Sequence, residues 1–153
     1  MYDQMKELHI NFWNYMPLPI QSKKDVLDWK EMGMTTVMTG EGVYQDEKDA
    51  KHVADVLEEC QRQNMPAIIF DSNFRITKLA EVGEAEFRKT VRETVAFYER
   101  FPAAQYAFVW DEPGTEEQWE QMYLACKILR ETSKQIKPFC SLNHYCGQAR
   151  KKV

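Results

Sequence analysis

No apolar run in this 153-residue sequence approaches the roughly 20 residues that a bilayer-spanning helix needs. The opening, MYDQMKELHI, has no basic segment followed by an apolar stretch, so it does not read as a signal peptide. A cytoplasmic location is the default expectation, with export reserved for a longer precursor. A basic stripe is also missing. Apart from Arg150-Lys151-Lys152 the cations are dispersed, and the formal charge is −4. That balance excludes the electrostatic footprint of a nucleic-acid or anionic-membrane binder.

No two of the four cysteines have CxxC spacing. Cys60 and Cys126 fall at apolar positions of helical patterns, where a free thiol acts as a small hydrophobe. Cys140 and Cys146 have no spacing that calls for a bridge or a metal, so reduced thiols are expected. Gly40-Glu41-Gly42 follows a strand-like segment but lacks the third glycine and the Lys-Ser/Thr of a phosphate-binding loop. Neither a GxSxG elbow nor an HExxH helix occurs. Nothing here asks for a cofactor or a metal ion.

What is present is alternation. LHINFWNYM (8–16) is rich in strand formers and stops at Pro17; a short helix follows over KKDVLDWKEMG, with Ser22 as cap, Asp25 at its third position and Gly33 as terminator. TTVMTG (35–40) reads as a second strand, ending in a flexible Gly40-Glu41-Gly42. From Asp46 to about Asn64, Ala50, Val53, Ala54, Leu57 and Cys60 recur at helical spacing. PAIIFDSNF (66–74) is a third strand. A loop and a helix from Glu84 to Phe101 follow, with Phe87, Val91, Val95, Tyr98 and Phe101 on one stripe. QYAFVW is the fourth strand. Thr115 and Gln118 form a capping box for a helix that buries Trp119, Met122, Tyr123, Cys126 and Leu129. KPFCSLNHY (137–145) is the fifth strand.

Strand starts recur roughly every 30 residues, the length of a βα unit. The third and fourth strands are apolar on both faces, as in a parallel sheet covered by helices. The chain is therefore an α/β protein, expected as one incomplete domain over 1–153. Two architectures fit: the first part of a (β/α)8 barrel with sequential parallel strands, about (βα)4β5, or a five-stranded doubly wound open sheet. In both, the carboxyl ends of the strands share one rim. Asn14, Thr39-Gly40-Glu41, Asp71-Ser72-Asn73, Asp111-Glu112 and Asn143-His144-Tyr145 all fall there, with Trp13 and Tyr145 adding aromatic surface. Carboxylates and amides suit sugar hydroxyls, and rings suit the apolar faces of pyranoses. Trp13, Asn73, Asp111, Asn143, His144 and Tyr145 are accordingly candidate sugar-binding residues.

Asp111-Glu112-Pro113 is the sharpest feature. Thr115 already caps the following helix and Glu116-Glu117 occupy its first turn, so the two acids are redundant for capping. Strand alternation puts Glu112 on the side of Phe108 and Trp110. Over such an aromatic floor a carboxyl would hold its proton near neutrality, as a general acid must.

An Asn-Glu-Pro or Asp-Glu-Pro at the end of the fourth strand resembles the acid/base motif of the clan A glycoside hydrolases, a large (β/α)8 group. The resemblance implies that Glu112 protonates the glycosidic oxygen and then deprotonates the incoming water. Asp111 stands at the position usually held by an Asn that binds the sugar 2-hydroxyl; Asp-Glu-Pro variants resemble bacterial barrel hydrolases. The clan's nucleophile is a second glutamate ending the seventh strand, and retaining chemistry sets the two about 5 Å apart. Only five strands are expected here, so the chain alone should be an inactive portion of a longer hydrolase, or self-associate through exposed barrel edges. The alternatives are a non-catalytic carbohydrate-binding or interaction module, and a doubly wound domain with an unrelated small ligand.

Overall fold

The structure is a computed structural model and describes residues 9–14 and 16–142. Ser22 starts the first helix, α1 (Lys23–Glu31), by donating its N–H (2.6 Å) and its hydroxyl (2.8 Å) to the Asp25 carboxylate. Strand β1 (Val37–Met38) follows, then α2 (Glu47–Arg62), where the Asp46 side chain accepts the Asp49 N–H at 3.0 Å. Next come β2 (Ala67–Ile69), a 3-10 turn (Ser72–Phe74) and α3 (Ile76–Tyr98), then β3 (Ala104–Asp111), α4 (Glu116–Thr132) and β4 (Lys137–Ser141). The four strands are all parallel and lie in the order β1-β2-β3-β4, without a reversal.

Residue alternation sorts the strands' side chains onto two unlike faces. Val37, Ala67, Ile69, Ala107 and Val109 join one core with apolar residues of all four helices, among them Val26, Leu57, Val91 and Ile128. Met38, Ile68, Phe70 and Phe108 form a second cluster that contains no helix residue; Trp13, Tyr106 and Phe139 pack against it. Every helix therefore packs on one side of the sheet, and the other side is an aromatic layer. Each fully buried Phe or Leu in these clusters contributes about 1.5–3 kcal/mol. Among the described residues no helix is long and apolar enough to cross a membrane.

The α/β class and the sequential parallel sheet agree with the sequence pattern, but several local expectations need correction. The segment around 8–16 forms no ladder over residues 9–14. Its place is nevertheless that of a strand beside β1: Ile10 O accepts from Thr35 and Thr36 N–H, Asn14 Nδ2 donates to Met38 O at 2.9 Å, and Pro17 bridges Glu41 in parallel. Two successive amides share the Ile10 carbonyl, and the Thr35 and Asn14 side chains supply further bonds, so the strand formers give an irregular segment. Gly83 (φ 76°, ψ 167°) is non-helical and divides α3 in two: the second part starts at Glu84 as expected, and the loop expected before it is instead a short helix from Ile76. Phe101 lies beyond the end of α3. On α4 the buried stripe is Met122, Ala125, Ile128 and Leu129, which leaves Tyr123 one position outside it and 70% exposed. Gly40 is not flexible: a Cβ there would stand 2.5 Å from Met16 O and 2.7 Å from Leu18 N.

Candidate functional site

The carboxyl ends of β1, β2 and β3 bring Glu41, Arg75, Asp111 and Glu112 to one rim of the sheet. Asp111 is the last residue of β3 and pairs with Ser141, the last of β4. The Ser141 hydroxyl donates to the Asp111 carboxylate, and its carbonyl accepts the Glu112 N–H at 3.0 Å. The acid pair is thus tied to the neighbouring strand from both its side chain and its backbone.

Glu112 has φ 45°, in the left-handed region. Pro113 disfavours the right-handed helical region for the residue before it, and a left-handed non-glycine costs roughly 1–2 kcal/mol. Such strain persists only where surrounding structure enforces it, and it concentrates at functional positions. A register shift between Phe108 and Trp110 has already broken the alternation, leaving Trp110 packed against the helix-side core, and the φ of Glu112 then turns the chain off the strand. Glu112 is consequently exposed, not buried over the Phe108–Trp110 floor that alternation led us to expect. Helix α4 begins independently of both acids. Thr115 Oγ1 accepts the Gln118 N–H at 3.2 Å, and Gln118 Oε1 accepts the Gly114 N–H at 2.8 Å, so the reciprocal bond reaches one residue further back than in a capping box.

Arg75 is the rim residue that sequence reasoning missed. Its guanidinium carbon lies 5.3 Å from the Phe70 ring centroid and 5.5 Å from Phe108, both in the aromatic layer, and 5.1 Å from Trp110, which packs against the helix-side core. Nη1 donates to Glu41 Oε1 at 3.2 Å, and the Ser72 hydroxyl donates to the same oxygen at 3.3 Å. Nε is buried without a hydrogen-bond acceptor. The available signal was an arginine immediately after the polar end of a strand, DSNFR, which read as loop.

Other proposed ligands separate. Trp13 meets Phe108 edge-on, with ring centroids 5.0 Å apart, and so joins the aromatic layer. Asn73 is buried; its Nδ2 donates to Gln45 Oε1 at 2.8 Å, away from the acids' own contacts. Asn143, His144 and Tyr145 lie outside the described residues.

One carboxyl does have a raised pKa. Burial pushes Asp71 from 3.8 up to about 6, against donors that favour its charged form: the Asn73 N–H, the Tyr98 hydroxyl and the Tyr44 N–H, at 2.8, 2.9 and 3.0 Å. Asp71 has no exposed surface, so no substrate reaches it; it fastens the end of β2 to α3 and to the loop before α2. A cleft of about 420 Å³ bordered by His9, Gln61, Asn64 and Gln105 lies at the strands' amino ends, opposite the rim where α/β barrels do chemistry. Among the described residues no three His, Cys, Asp or Glu converge as metal ligands. Compared with protein-family models, curated proteins and solved structures, the chain matches none of them.

Proposed function

We propose that the chain is the amino-terminal portion of a glycoside hydrolase-like (β/α) barrel, with Glu112 as general acid/base in retaining cleavage of a glycosidic bond. The observation that carries this reading is the placement of Asp111-Glu112. The pair ends a strand in a sequential parallel sheet with all helices on one face, and Glu112 is held in a strained backbone by Ser141. Counting the irregular segment beside β1 as the first position, this is the fourth. An exposed carboxyl at that rim reaches a sugar, and Asp111 is near enough in sequence to accept from a hydroxyl of the same ring. The nucleophile of the pair would stand on a further strand outside this sequence.

The test uses a polypeptide extended through the remaining strands. Glu112→Gln should lower turnover by about 10²–10⁴-fold while oligosaccharide affinity stays within a few-fold. Full activity in that variant overturns the assignment.

The second reading is a non-catalytic carbohydrate-binding module. It is favoured by the exposure of Glu112, which stands clear of the apolar floor that a general acid uses. Calorimetric titration of this chain with oligosaccharides addresses it directly: no heat at millimolar ligand excludes the module.

A further inference from the structure

Cys126 on α4 and Cys140 on β4 are 14 residues apart in sequence, yet their Sγ atoms lie 3.5 Å apart. Both are half-buried, so small reagents reach them, whereas Cys60 has no exposed surface. The two elements are consecutive and already packed, so a bond between the sulfurs closes a short loop. We propose that Cys126 and Cys140 form a reversible dithiol–disulfide site, oxidised by small-molecule disulfides such as oxidised glutathione.

The two thiols are unequal, which sets the order of steps. One hydrogen bond joins the two sulfurs; it holds Cys126 below the ordinary thiol range, with help from Arg130, and that bond together with burial holds Cys140 above it. The Cys126 thiolate attacks one sulfur of the small disulfide, forming a mixed disulfide and expelling one thiolate, which takes up a proton. Cys140 then loses its proton and attacks Cys126 Sγ, expelling the second thiolate. Two protein thiols are oxidised and one small disulfide is reduced to two thiols. The bond formed adjoins Ser141, the residue that holds Asp111 and Glu112.

The experiment incubates the reduced chain with oxidised glutathione, blocks free thiols with iodoacetamide, and maps linked peptides by mass spectrometry. A Cys126–Cys140 link is expected, with Cys60 alkylated only after unfolding because burial pushes its thiol up to about 12. Cys140 and Cys146 share a tryptic peptide, so Cys146→Ser should retain the link. Cys140→Ser should stop at a glutathione adduct on Cys126 with no internal link, and Cys126→Ser should abolish the link. A link through Cys146, adducts without an internal link, or free alkylation of both thiols in the unsubstituted chain would each overturn the proposal. The linkage found in the unsubstituted chain is decisive even if a variant fails to fold.

Discussion

The Tyr98 hydroxyl donates to an Asp71 carboxylate oxygen at 2.9 Å, and neither residue has more than 1% of its surface exposed. Asp71 keeps its proton to about pH 6 in the folded chain, against an ordinary value of 3.8. Between those values the folded state binds more protons than the unfolded one. The contribution of Asp71 is therefore greatest below about 3.8, declines as pH rises to about 6, and is level above that. Relative to Asp71→Asn, the unsubstituted chain should lose on the order of 2–3 kcal/mol of stability from pH 4 to pH 7. Urea unfolding of both proteins across that range measures this; a pH-independent difference would contradict it.

Gly40→Ala should cost about 2–3 kcal/mol. Its Cβ meets backbone at three atoms, Met16 O, Leu18 N and Leu18 Cα, all within 2.8 Å. None is the far end of a flexible side chain. Gly33→Ala is the control: its φ of +88° also disfavours alanine, but nothing lies within 4 Å of the added carbon. The smaller loss at Gly33 separates contact from backbone strain in the same denaturation assay.

Arg75→Ala should uncover Phe70, Phe108 and Trp110 and cost about 1–2 kcal/mol, with tryptophan emission shifted to the red. Lysine keeps the charge beside Glu41 but not the planar stack, so Arg75→Lys should recover less than half of that loss. Complete recovery by lysine would reduce the contact to an ion pair. Repeating the emission measurement with Trp110→Phe assigns the shift to that ring.

Glu112→Gly should be more stable than Glu112→Ala by about 1 kcal/mol, because glycine alone adopts φ 45° without a Cβ clash. At an ordinary position the order reverses. Denaturant midpoints of the two variants decide; a more stable alanine variant would mean that the left-handed backbone is not held in solution.

The repeat of strand and helix was legible because core packing imposes it directly: Val53, Leu57 and Cys60 on α2, and Phe87, Val91 and Val95 on α3, are spaced for one buried face and are buried. Caps at Ser22 and Thr115 were equally local. The first segment misled because its strand formers are satisfied by side chains such as Asn14 and Thr35, a choice that depends on what lies beside them. At the rim, the acids of β3 could be found by position. Their geometry could not, since a register shift after Phe108 and one left-handed residue at Glu112 cancel the alternation on which a side-chain direction rests. Arg75 and the paired sulfurs are long-range meetings with no periodic signature.

A sheet whose strands follow in chain order, with every crossover on one side, is an additive structure. The next strand of such a fold meets β4 as β4 meets β3, and the next helix lies beside α4 as α4 lies beside α3. Duplication, fusion or exchange of whole strand–helix units is therefore the mode of change this architecture tolerates best.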